Sequence, residues 1–377
     1  MREFADELVR AGEVCTVLTG RGWETSATFH SGVLVLPAPP LIRTSQRTRM
    51  WSWIAYCFSS VATLMRCSAR DRVFIFSNPP LLPFAAWLCS LVRGYRYSVM
   101  VYDIYPDILP GMGLLRPNHP LIRVWRWFNK QAYERAFAVL TLGDMMACSL
   151  AKQFNPARTA AGTVLVSRPW VNTALIRPRL KAENPFALQN GLLGKVTVLY
   201  SGNMGATHDM ETILEAARLM ETETAVEFLL VGAGEGYPAI QAAAKGLVNV
   251  RVLPWQPPEL LPYVCAAAEI ALVTLRPGIE MCSFPSKTAF ALSAGSAVIC
   301  LTEAPSDLAD VILRNGCGIV VRPGDPRNLA QSVMRLVQDR GFLEECRIRA
   351  RATAEAFFTS EMNIAVMIAG LPTPIGG

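Results

Sequence analysis

A chain of 377 residues exceeds what one core comfortably holds, so two domains are expected. Its 51% hydrophobic content and mean hydropathy of +0.28 are high for a freely soluble enzyme. Ten cysteines show no CxxC pair and no paired Cys/His spacing, which argues against a zinc site or a disulfide framework and predicts reduced thiols in the cytoplasm.

The net charge of +6 is unevenly spread: residues 1–165 hold 18 Lys+Arg against 10 Asp+Glu, whereas 166–377 hold 18 against 20. "MREFADELVRAGEV" reads as a charged amphipathic helix, Arg2–Ala11, and not as a signal peptide; it feeds a strand at Cys15–Thr19. A doubly wound domain opens on a strand and a loop, so a leading strand is expected to be absent. The segment "RTSQRTRMWSWIAYCFSSVATLMRCSARDR" interleaves arginines with aromatics, as does "LIRVWRWFNKQAYERAF" further on. Such mixtures suit an anionic membrane surface, and equally a core helix with arginines at its ends; for residues 50–65 both readings stand open. Nucleic acid fits less well, because the basic residues accompany apolar faces. The uncharged run Val73–Val92 has the length of a membrane span, but Ser77-Asn78-Pro79-Pro80 interrupts it. It reads as strand, proline loop and apolar helix.

Further strands are expected at Tyr97–Tyr102 and Ala138–Leu142. Asp103 stands just past the first of these, where a carboxylate reaches a substrate hydroxyl; capping is the plainer role for it and for Asp107. The expected domains are 1–165, a proline-rich linker 166–194, and 195–355, with a tail helix in 356–377 packing back on the first domain. The second domain offers strands at Val196–Tyr200, Val226–Val231, Val250–Leu253, Ile270–Leu275, Ala297–Leu301 and Gly318–Val321. Continuous β-branched runs alternating with helices predict parallel sheets buried on both faces.

In such sheets ligands lie beyond the carboxyl ends of the strands. There the second half places Gly202-Asn203-Met204-Gly205 with Thr207 as helix cap, suited to diphosphate oxygens. "GAGEG" follows, with Gly232 and Gly234 leaving no Cβ to block a nucleotide. Trp255 and Gln256 can stack a base and read its edge, although an isolated Trp is more often core. "RPGIEMCSFPSK" supplies Arg276, Glu280, Ser286 and Lys287, the last two at a helix start that favours phosphate. The plain alternatives are tight strand-to-helix turns and an Arg276–Glu280 surface ion pair. His30, His119 and His208 have no triad or metal-ligand spacing.

Together "YSGNMGATHDMETILEAARLM", "EFLLVGAGEGYPAIQAAAKGLVNVRVLPWQPPELLPYVCAAAEIALVTL" and "FPSKTAFALSAGSAVICLTE" resemble the retaining glycosyltransferases of the GT-B fold, the GT4-like group. "VYDIYPDILPGMGLL" and "FSNPPLLPFAAWL" are similar to its WbuB/WcaI-like branch of O-antigen and colanic acid synthesis. The resemblance implies an α/β fold of two doubly wound Rossmann-like domains facing across a cleft. It implies transfer of a sugar from a UDP- or GDP-linked donor, without metal, to a lipid-linked or saccharide acceptor at the cytoplasmic face of the inner membrane. Gly202–Gly205 and Lys287 would hold the diphosphate, Gly232 and Gly234 would lie near the donor, Trp255 and Gln256 would flank the base, and Asp103 would face the sugar or acceptor. The family's paired glutamates fall here on Cys282 and Phe290, with Glu280 near the first position. A UDP-sugar 2-epimerase-like enzyme and a non-catalytic truncated relative remain alternatives.

Overall fold

The computed structural model describes residues 2–20, 32–40, 46–205 and 207–373; His30 lies outside them. The chain divides into two compact units. One is Met1–Pro106 with Pro117–Ser167 and Ser360–Gly377; the other is Asp107–Arg116 with Arg168–Thr359.

In chain order the first unit comprises α1 (Arg2–Arg10), β1 (Cys15–Gly20), β2 (Val33–Ala38), α2 (Gln46–Leu64), β3 (Arg72–Phe76), α3 (Leu82–Arg93) and β4 (Arg96–Val101). After α4 (Ile108–Gly111), which clusters with the second unit, come α5 (Pro120–Arg135), β5 (Val139–Thr141), α6 (Asp144–Ala151) and β6 (Val164–Val166). All pairings are parallel, but they form two sheets: β1–β2, and β3–β4–β5–β6. Sequence reading missed two strands here. β2 carries Pro37, which a strand tolerates at an edge, and β6 has too few residues to show a period. Val73–Val92 is strand, loop and helix as its prolines indicate. Among the described residues no helix is long and apolar enough to cross a membrane.

The second unit holds α7 (Pro185–Gln189), β7 (Val196–Asn203), α8 (Met210–Leu219), β8 (Val226–Ala233), α9 (Tyr237–Ala243), β9 (Val250–Pro254) and α10 (Leu261–Ala266). It continues with β10 (Ile270–Thr274), α11 (Lys287–Ser293), β11 (Ala297–Leu301), α12 (Asp307–Asn315), β12 (Gly318–Val321), α13 (Pro326–Gln338) and α14 (Arg340–Phe357). The sheet is parallel with order β12-β11-β10-β7-β8-β9. Alternation along each strand splits the core into two layers. Val198, Tyr200, Phe228, Ile270 and Ile299 pack with Ile213, Leu329 and Leu336 on one face. Leu199, Leu229 and Val231 meet Phe186 and Val264 on the other. Each fully buried side chain of this size contributes roughly 1.5–3 kcal/mol of transfer free energy.

The expected linker is built into this unit. Asn184 caps α7 by accepting from Phe186 N and Ala187 N, and both residues enter the core. Lys181 pairs with Glu269 at 2.9 Å, and the same carboxylate accepts from Thr197 N, fixing the start of β7. At the chain's end α14 stays with the second unit, whereas α15 (Ser360–Ala369) lies in the first. There Ser167 Oγ donates to Asn363 O, and Ser98 Oγ donates to Gly370 O at 2.6 Å. All ten cysteines are free.

Candidate functional site

Counted within the second unit, the strand order is that of a doubly wound sheet whose chain reverses direction between β7 and β10. A crevice opens beyond the carboxyl ends at such a switch point. The residues brought to it are Tyr200 and Gly202 from β7, His208 before α8, Thr274 and Arg276 at the end of β10, and Lys287 at the start of α11.

Gly202 is still strand, paired opposite Gly232, so the expected open loop begins only after Asn203. Its φ of +148° favours glycine, and a Cβ there would lie 3.2 Å from Lys287 Cε and 3.3 Å from Lys287 Nζ. The amine of Lys287 therefore sits against the bare backbone of Gly202. Lys287 Nζ donates to the Tyr200 hydroxyl at 2.7 Å and stands 4.0 Å from the centroid of that ring. No carboxylate forms an ion pair with it among the described residues. Burial pulls its pKa from 10.5 down to about 7.

His208 approaches the Tyr200 ring edge-on and contacts the Thr274 carbonyl through Nδ1 at 2.9 Å. A carbonyl only accepts, so Nδ1 carries the proton. Burial, then the charge of Lys287, push the His208 pKa down to about 3 against the opposing Thr274 hydrogen bond, with Arg276 adding to the fall; the ring is neutral at physiological pH. Arg276 is exposed and hooked to this same turn, its N–H donating to Thr207 O and its Nε to His208 O at 3.2 Å. It makes no ion pair with Glu280 among the described residues, so the surface-pair alternative fails. Glu280 is half-buried, with Oε2 shielded from solvent and without a hydrogen-bond partner. Ser286 is exposed at the N-cap of α11 and makes no side-chain cap bond.

Several expectations need correction. The cap of α8 is Asp209 and not Thr207: its carboxylate accepts from Thr212 N at 3.2 Å and from Gly324 N at 3.0 Å. Met204 is core, 1% exposed, with its N–H donated to Ala233 O and its carbonyl accepting from Gly236 N. That N–H is already occupied and has no capacity left for phosphate. A Cβ on Gly232 would fall 1.9 Å from Gly202 O, and one on Gly234 would fall 2.5 Å from Asn203 Oδ1; a Cβ on Gly205 would strike Asn203 Nδ2. These glycines make room for the neighbouring turn, which is a structural reason for "GAGEG".

Trp255, at the end of edge strand β9, is 61% exposed, so it is not a core residue. Gln256 turns its amide back onto Pro254 O at 2.8 Å, which fixes the Trp255 turn. Trp255→Ala is expected to leave the melting temperature unchanged and to weaken nucleotide binding about tenfold, a typical stacking contribution. Calorimetric titration beside a thermal melt checks both. Asp103, half-buried beyond β4, belongs to the first unit.

Sequence reasoning overlooked Tyr200 and His208. Tyr200 ends an apolar run and looks like core, and His208 lies in no recognisable spacing; only the polar tip of a tyrosine placed beside a glycine turn could have marked it.

Residues 195–339 match the family described as Glycosyl transferases group 1, and residues 1–161 match the Glycosyl transferase 4-like domain. The chain belongs to the GT4-like glycosyltransferases. WbjE of Pseudomonas aeruginosa, named as a probable glycosyltransferase, is 26% identical over 281 residues, 74% of this chain and 69% of WbjE. WcaI of Escherichia coli K12, named for colanic acid biosynthesis glycosyl transfer, is 30% identical over 232 residues. That match covers 59% of this chain and 55% of WcaI. Anabaena HepE, solved with UDP and glucose, superposes with a TM-score of 0.71 at 15% identity, covering 98% of this chain and 93% of HepE. The shared architecture is GT-B.

Proposed function

We propose that this glycosyltransferase takes its sugar from a UDP- or GDP-linked donor bound at the β7/β10 switch point. Transfer proceeds with retention to a lipid-linked or saccharide acceptor of a surface polysaccharide. The observation that carries the reading is Lys287: a half-buried amine against the Gly202 backbone, paired with no carboxylate among the described residues. A cation in this setting favours an anionic ligand. Trp255 stands two strands away from β7, about 10 Å at ordinary strand spacing, a distance a nucleoside diphosphate spans. HepE, of the same fold, is solved in complex with UDP, and WcaI is named for colanic acid biosynthesis.

In this assignment Lys287 and Arg276 take up the charge that develops on the departing diphosphate, in the role a metal plays elsewhere. The Oε2 atom of Glu280 accepts a sugar hydroxyl, and Ser286 donates to a phosphate oxygen. Asp103 faces the sugar or the acceptor from the first unit. His208, neutral throughout, orients the turn and moves no proton.

Titration with UDP-glucose and GDP-mannose tests the reading. Their diphosphates are doubly esterified and hold constant charge near neutrality, so pH acts through the protein. A bound diphosphate stabilises protonated Lys287; binding above pH 7 therefore takes up a proton, and affinity falls as pH rises from 7 toward 9, by up to about tenfold per unit. Binding of one donor with this slope is expected. A folded chain that binds neither overturns the proposal.

The first unit supplies a route to the membrane. Helices α3 and α5 pack together and expose Leu91, Val92, Val124 and Trp127 beside Arg123 and Lys130. Apolar and aromatic groups at headgroup depth with flanking cations describe a peripheral face for anionic lipid. The protein is expected to sediment with phosphatidylglycerol vesicles at low salt and to release as salt rises. Equal retention on neutral vesicles would remove the charge argument.

A further inference from the structure

Tyr200 is fully buried, yet its hydroxyl makes two hydrogen bonds that packing does not require. It accepts from Lys287 Nζ at 2.7 Å and donates to the Asn203 carbonyl at 2.7 Å. Burial raises the phenol pKa far beyond its ordinary value, so the group stays protonated. Its single proton goes to Asn203 O, and only a lone pair is left for Lys287. One oxygen thus ties the cation at the start of α11 to the turn that closes β7.

We propose that Tyr200 is a positioning residue of the transfer reaction, its hydroxyl holding the Lys287 amine against Gly202, at the switch point where the donor diphosphate binds. The inference rests on the reading of Lys287 as the diphosphate cation. A lysine stem is flexible, and without this bond the amine keeps its place in the crevice but is no longer fixed beside the turn. The groups facing Lys287 are Tyr200 and Gly202 from β7 and His208 from the turn before α8, with Arg276 acting on the same histidine. None is a carboxylate. The Tyr200 hydroxyl is the acceptor that favours the charged amine; its removal disfavours protonation.

Tyr200→Phe deletes the acceptor while keeping the ring, the cation above it and the core volume. Two measurements follow. In the ligand-free protein, labelling of Lys287 by an amine reagent is followed across pH by mass spectrometry. Its midpoint is expected to fall by about one pH unit in the variant. In the complex, the UDP-glucose (or GDP-mannose) dissociation constant at pH 7 is expected to rise about tenfold, and the pH at which binding fails moves down in step. A residue that only packs would leave both midpoints in place. If Tyr200→Phe melts too low to assay, fluorotyrosine at this position weakens the acceptor without deleting it and moves the same midpoint downward by less. An unchanged labelling midpoint overturns the proposal, as does a shifted midpoint with wild-type donor affinity and pH profile. A wild-type chain that binds neither donor overturns the underlying site reading instead, and that result appears before any variant is made.

Discussion

Lys287→Met is expected to abolish donor binding and, at the same time, to raise the melting temperature. The two effects share one cause. An ammonium at this position is half-buried and pairs with no carboxylate among the described residues, and burial draws its pKa from 10.5 to about 7. Between those two pH values the unfolded chain binds a proton that the folded chain does not, so folding stability rises with pH across that window. At neutral pH nearly the whole penalty is present. Methionine has a similar length and flexibility but no charge, so it fills the place beside the Tyr200 ring without the desolvation cost. Relief on the order of 1–3 kcal/mol corresponds to a gain of about 2–12 °C for a domain of this size. The ligand loses its main cation: truncating one member of a buried charge pair typically costs about 2–5 kcal/mol, a drop of about 30- to several thousand-fold in affinity. Calorimetric titration and a thermal melt on one preparation read both. A variant that melts lower and binds normally would make Lys287 a structural residue held by Tyr200 and nothing more.

The parts of the molecule legible in the sequence are those set by local patterning. Ala297–Leu301 is a strand residue for residue, because a parallel strand covered on both faces must be continuously apolar. β2 escaped because Pro37 interrupts its run, which an edge strand permits. Gly202 and Lys287 were both legible as phosphate-seeking residues, each with a plain alternative. Their meeting was not, because it depends on β7 and β10 lying side by side, a matter of strand order that no local window contains. Tyr200 was hidden for a different reason. Its ring belongs to the core and its hydroxyl to the site, and an apolar run reports only the first. "GAGEG" has a reason that the pattern does not display: Gly232 yields space to Gly202.

That last point gives the second large effect. Gly232→Ala is expected to lower both stability and donor affinity, in contrast to Trp255→Ala, which is expected to lower affinity alone. The new Cβ would stand 1.9 Å from the Gly202 carbonyl oxygen, and the obstacle is backbone in the middle of the sheet rather than a side chain that can swing aside. Relief requires β7 and β8 to part at the Gly202–Gly232 pairing. Overpacking of this kind costs about 1–3 kcal/mol or more, which lowers the melting temperature by several degrees. The same movement carries Gly202 away from the Lys287 amine, so the folded fraction also binds weakly. Gly318→Ala separates the two consequences. Its Cβ would lie 1.8 Å from Val298 O, on β12 at the far edge of the same sheet. An edge strand can drift outward, and the switch point is untouched, so that variant should melt lower yet keep its donor affinity when assayed well below its transition. If Gly232→Ala instead kept its melting temperature and lost only binding, the glycine would be facing the nucleotide directly, and the packing account of "GAGEG" would be wrong.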